Sequence, residues 1–213
     1  MGTRDVVDAL IEHQGRLYSE EMGAEIARDA PVQWFHWLIG ALLLSARIAA
    51  ANAVAAGAGL KSEGLHKIDA ILAADRETRI RVLNENGYAR FDNRGADYIE
   101  AAAQLVKERY SGDLRKLCAA GGDRAGILKA LQEVKGIGPA GAEIFAREAQ
   151  LVWAPLYPTL GKPAEAAAAE LGLPQDADAL ADLAGGRARF VRLVAALTRA
   201  SLDGPAKAVT AAR

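Results

Sequence analysis

The chain has 213 residues, enough for one large or two small domains with a sizeable core. Hydrophobic residues make up 51% and charged residues 25%, an ordinary globular balance, with alanine and glycine abundant and aromatics few. The formal net charge is −1, so a nucleic-acid surface has to be a local patch; the single cysteine, Cys118, excludes an internal disulfide, a four-thiolate zinc site and an iron–sulfur cluster.

Helical periodicity runs almost throughout and β-branched runs are rare, so the expected class is all-α. Val6, Leu10 and Ile11 mark a first short helix, and residues 22–27 a second that ends before Pro31. Residues 33–44 are apolar nearly all round, as in a buried central helix. Residues 48–56 continue as a small-residue helix that Gly57 and Gly59 are expected to stop. Helices over 68–73, 78–83 and 96–110 follow, the last with Asp92 or Asn93 as N-cap. Residues 124–134 carry Ile127, Leu128, Leu131 and Val134 on one face, and a glycine turn separates them from a helix over 140–150. Pro155, Pro158 and Pro163 mark an irregular connection, helices over 164–171 and 187–202 close the pattern, and residues after Gly204 are expected to be disordered.

Residues 1–12 are polar and amphipathic, unlike a secretory signal. The one membrane candidate, residues 37–60, carries Arg47 and Asn52 near its middle. A central arginine costs about 2.5–3.5 kcal/mol on insertion scales. Two buried helices broken near Ser45 are expected instead, with a cytoplasmic location and no membrane partner. His13, His36 and His66 show no metal-ligand spacing and read as structural, so no side-chain metal site and no cofactor are expected.

The most informative segment is Leu131-Gln132-Glu133-Val134-Lys135-Gly136-Ile137-Gly138-Pro139-Ala140-Gly141-Ala142-Glu143-Ile144-Phe145. Gly136 suits the left-handed conformation that ends a helix. Gly138 admits a close backbone approach, Pro139 suits a first helical turn, and Ile137 points back as a plug. The free N–H groups of the turn and of the second helix's start then face outward together, a ready phosphate site helped by the helix dipole. Lys129 and Lys135 add local positive charge. An αα-hairpin whose glycines only make the turn is the plainer alternative.

The spacing of Leu131, Val134, Ile137, Ala142 and Phe145 around those glycines resembles the helix-hairpin-helix DNA-binding motif. Upstream, Trp37 to Arg47 is similar to the Leu-Leu-Ser-Ala-Gln stretch of endonuclease III-type DNA glycosylases, and Asn86-Gly87-Tyr88 with Asn93-Arg94 fits a second family segment. The likeness covers roughly residues 31–160. It implies a six-helix barrel domain over 31–151 containing the hairpin at 125–150, and a second helical domain made of 1–30 with 152–213. It also implies a monomer that binds double-stranded, possibly damaged DNA across a cleft and flips a base into it. Gly136, Ile137 and Gly138, with Lys135 and Ala140 beside them, match the phosphate grip, whose carbonyls hold a monovalent cation in relatives. Arg47 falls where the family places a glutamine that fills the gap left by the flipped base. Tyr157 and Pro158 fall on the cleft.

The chain departs from the family where the chemistry is done. The lysine that attacks the sugar in bifunctional members is Ala140 here, and the aspartate of the family's Val-Asp-Thr-His is Pro158 within Tyr157-Pro158-Thr159-Leu160. The expected function is recognition of damaged or distorted DNA without lyase activity. One alternative is a monofunctional glycosylase with a relocated acid, first Glu143, one turn from Ala140, then Asp92 or Asp97. Another is a helical scaffold with no DNA partner. Arg187, Arg189, Arg192 and Arg199 line the last long helix as a solvated stripe or a DNA contact. Trp34, Trp37 and Tyr157 are candidates to stack on a base, with core packing the reading preferred for the two tryptophans. Lys162 is a remote substitute nucleophile.

Overall fold

The computed structural model describes residues 2–212. Its helices are α1 Thr3–Gln14, α2 Tyr18–Met22, α3 Pro31–Leu44, α4 Ala50–Ser62, α5 Ile68–Ala73, α6 Arg76–Leu83 and α7 Asp92–Tyr110. They continue as α8 Arg115–Gly121, α9 Arg124–Leu131, α10 Pro139–Ala149, α11 Lys162–Glu170, α12 Ala177–Ala184, α13 Arg187–Asp203 and α14 Lys207–Ala211. No strand occurs among the described residues, so the protein is all-α. No helix among them is long and apolar enough to cross a membrane. The chain divides into two compact units, Tyr18–Ala146 and the pair of segments Met1–Leu17 and Arg147–Arg213.

The larger unit is built on α3. A helix that is apolar on all sides has to be covered on all sides, and Trp34, Phe35, Trp37, Leu38, Ile39 and Leu43 are all buried. Both indoles keep their N–H groups satisfied: Trp34 Nε1 donates to Asp29 Oδ1 at 2.7 Å and Trp37 Nε1 to the Phe145 carbonyl at 3.1 Å. These two tryptophans are core residues. His36 is also fully buried and donates Nε2–H to the Gly57 carbonyl at 3.0 Å. Burial pushes its pKa down to about 4, so it packs as a neutral ring at pH 7.

Several local expectations are corrected. Gly57 and Gly59 do not stop the fourth helix, which runs through them to Ser62. They permit close packing instead: a Cβ at Gly57 would stand 2.8 Å from Met22 Sδ, and one at Gly59 2.3 Å from Asn86 Nδ2. The helix expected over 22–27 is replaced by α2 and a separate 3-10 turn at Ile26–Arg28, because Gly23 turns left-handed at φ +84° between them. Residues 18–28 belong to the larger unit, with α2 against α3 and α4. Asp92 opens α7 as its first residue and Phe91 is the cap. The helix before the hairpin ends at Leu131, short of Val134. α8 and α12 are not expected from the sequence; at 7 and 8 residues each spans only about two turns, too short to establish a helical period.

In the smaller unit α13 is central, with α1, α11 and α12 packed on it. Phe190, Val191, Leu193, Val194 and Leu197 are buried, and Ala164, Ala167 and Ala168 bring α11 close. The stretch after Gly204, expected to be disordered, forms α14 against α1. Val209 is fully buried there, and the Gln14 side chain donates to the Gly204 carbonyl at 3.1 Å and accepts from Ala206 N at 2.9 Å.

Candidate nucleic-acid interface

The hairpin joins α9 to α10 through two tight steps. Val134 N donates to the Leu131 carbonyl at 3.1 Å and Ile137 N to the Val134 carbonyl at 2.9 Å. Gly136 adopts φ +94°, and a Cβ there would stand 2.3 Å from Tyr98 Cδ2, so both conformation and space require glycine. Ile137 is buried as a plug, close against Gly141. Gly138 is different: a Cβ there would meet nothing within 4 Å, so its face is open. In α10, Ala142 N is bonded back to the Gly138 carbonyl at 3.0 Å, and Pro139 has no N–H. A helix start leaves its first N–H groups without intrahelical partners; here Gly138 and Ala140 are exposed, while Gly141 is buried.

A recess of about 580 Å³ lies against this hairpin. The turn between α3 and α4 contributes Arg47, the approach to α7 contributes Arg90, and α7 itself contributes Arg94 and Tyr98. Lys135 and Gly136 to Gly138 complete it, and no aspartate or glutamate lines it. Arg47, Arg90, Arg94 and Lys135 are all exposed. Arg90 lies over the Phe91 ring at 5.4 Å and Lys135 over the Tyr98 ring at 5.8 Å.

The arginines of the larger unit separate cleanly. Arg28, Arg76, Arg79, Arg81, Arg109, Arg115 and Arg124 each form an ion pair with a carboxylate. Arg47, Arg90 and Arg94 form none, and all three line the recess. A molecule of net charge −1 thus carries an unneutralised cationic pocket at its hairpin.

The remaining candidates fall elsewhere. Glu143 is turned to Arg124 of α9, at 2.6 Å, and does not line the recess. Ala140 is exposed on the first turn of α10, and Lys129 is exposed on α9. Asp97 is held by Arg76 through Nε at 2.6 Å and Nη2 at 3.2 Å, which keeps its pKa below the usual carboxylate range. Asp92 accepts from Asn84 Nδ2 at 2.9 Å and from the Asn93 N–H at 2.6 Å, and the Asn84 bond leads in lowering its pKa. A monovalent cation at the hairpin would have backbone oxygens as its donors, since no group of three or more His, Cys, Asp and Glu gathers among the described residues. The Leu131 and Val134 carbonyls already accept one N–H each.

In the smaller unit, Tyr157 is half-buried, edge-on to Phe190 at 5.4 Å between ring centroids, with the Arg187 guanidinium 5.0 Å over its ring. Pro158 is half-buried beside it, in a loop that Gln150 clamps: Nε2 donates to the Thr159 carbonyl and Oε1 accepts from Thr159 N, both at 2.9 Å. Lys162 is exposed at the start of α11. Of the arginines of α13, Arg189 is exposed, while Arg187, Arg192 and Arg199 are half-buried and bonded to backbone. Arg187 donates to the Gln150 carbonyl, Arg192 to Gly15 and Arg199 to Arg16, while Arg189 pairs with Asp8.

Arg90, Arg94 and Tyr98 were not singled out as site residues from the sequence. The available signal was the i, i+4 spacing of Arg94 and Tyr98, which puts both on one face of α7. No family model matches the chain, and no curated protein or solved structure matches it.

Proposed function

We propose that the protein binds duplex DNA, damaged or distorted, on the plan of the helix-hairpin-helix glycosylases, and does not cut it. The observation that carries this reading is the concentration of every arginine of the larger unit that lacks a carboxylate in one recess, together with Gly136, Ile137 and Gly138 of the hairpin. Cations without carboxylate partners attract phosphate, and outward N–H groups at a helix start bind it without reading sequence. On this reading the larger unit is the counterpart of the family's barrel domain and the smaller unit of its second domain. Arg47, which lines the recess, is on this reading the side chain that would enter the DNA stack.

The same reading assigns no strand cleavage. Ala140 has no amine to attack a sugar, and Pro158 has no charge to set against a developing oxocarbenium ion. The relocated-acid alternative gains nothing from Glu143, Asp92 or Asp97, because each is engaged by a cation or by amide donors.

Binding to duplexes that are intact, mismatched or abasic, measured across salt concentrations, tests the first part. Affinity should fall steeply with salt, and absence of binding at low salt overturns the reading in favour of a scaffold without a DNA partner. Gly138→Val should weaken binding to all duplexes while the protein stays folded, since its Cβ position is open. Borohydride trapping and product analysis on abasic, oxidised and alkylated duplexes test the second part. The expected outcome is neither product nor covalent complex. Base release would revive the relocated acid, with Glu143→Gln as the first variant to examine.

A further inference from the structure

We infer that Arg90 and Arg94 form a second phosphate seat, contiguous with the hairpin, so that the protein holds consecutive phosphates of duplex DNA. This rests on the DNA-binding reading above and extends it to residues outside the hairpin. Beside the first recess lies another of about 710 Å³, and both are lined by Arg90, Phe91, Arg94, Tyr98 and Lys135. Arg90, Arg94 and Lys135 therefore face both recesses, and Asp92 and Asp97 join the lining of the second. Successive phosphates of one strand advance about 3.4 Å along the helix axis, so a seat for one phosphate necessarily brings its neighbours to the adjoining surface.

The two arginines are prepared for this in different ways. The Arg90 guanidinium lies over the Phe91 ring at 5.4 Å, a contact that occupies a face of the cation and takes none of its N–H donors. Arg94 lies in the first turn of α7, where a cation is set against the helix dipole and is not favoured by stability. Neither arginine is paired with a carboxylate. The two acids of the second recess do not serve them: Asp97 is bound by Arg76, and Asp92 by Asn84 and Asn93. Four like charges round one recess repel one another, and a polyanion relieves that repulsion.

The experiment compares the slope of log affinity against log salt on a short duplex for the wild type, the double variant Arg90→Gln with Arg94→Gln, and Arg81→Gln. Arg81 is exposed on α6 and paired with Glu63 and Glu85, so it controls for loss of charge alone. Removing two phosphate contacts should make the slope shallower by roughly two and weaken binding about tenfold or more near 0.1 M salt. Arg81→Gln should keep the wild-type slope. Circular dichroism and thermal melting should show both variants folded, since all three side chains are exposed. A wild-type slope in the double variant overturns the second seat and leaves the DNA-binding reading standing. An equal change in Arg81→Gln also overturns it. A wild type with no salt-dependent binding removes the DNA-binding reading itself.

Discussion

Arginine has two fates in this molecule, and the hairpin recess and the last long helix show them side by side. On α13, Arg187, Arg192 and Arg199 reach backbone carbonyls of other segments in the smaller unit, and Arg189 finds a carboxylate. At the recess, Arg47, Arg90 and Arg94 find no carboxylate. A row of arginines is thus no evidence of a binding surface until their partners are known. On α13, Arg187, Arg192 and Arg199 hold backbone segments of their own unit, while the recess draws Arg47 from one segment and Arg90 and Arg94 from another.

That contrast can be broken by variants that separate stability from binding. The largest stability loss is expected from Arg79→Ala. The Arg79 side chain is 2% exposed and bonds the Ile71 and Ala74 carbonyls as well as Glu100, so its removal strands buried acceptors. A loss of about 2–4 kcal/mol in denaturant unfolding is expected. A smaller loss, about 1–2 kcal/mol, is expected from Arg192→Ala with Arg199→Ala, which releases the carbonyls of Gly15 and Arg16 beyond the end of α1. The salt slope of duplex binding should not change in that variant; a shallower slope would move α13 into the DNA surface. The smallest stability effect, within about 0.5 kcal/mol, is expected from Lys135→Ala, whose side chain is exposed. Its duplex salt slope should nevertheless fall by roughly one unit or less.

What could be read from the sequence was what is local. The hairpin announces itself because Leu131, Val134, Ile137 and Phe145 keep helical spacing around two glycines, and every partner in that pattern lies within fifteen residues. The all-helical class follows from the same periodicity. Gly57 and Gly59 misled because helix-stopping and close-packing glycines look alike until Met22 and Asn86 are seen against them. The tail misled because one valine among alanines carries little pattern, yet Val209 is fully buried once Gln14 has fixed the chain beside it. Arg90 and Arg94 do not stand out as site residues in the sequence for a related reason. What distinguishes them is a lack of partners, and the acids that do have partners lie far off: Arg76 meets Asp97 and Arg79 meets Glu100, each 21 residues away.

The make-up of the smaller unit has a consequence for synthesis. The larger unit is one uninterrupted stretch, Tyr18–Ala146, and has all its helices once that stretch has left the ribosome. The smaller unit cannot close until α13 and α14 emerge, because Val6, Val7 and Leu10 of α1 belong to the same core as Phe190, Leu193 and Val209. At elongation rates of about 5–20 residues per second, the apolar face of α1 waits on the order of ten seconds for its partners. During that interval it is the segment that chaperones would have to shield.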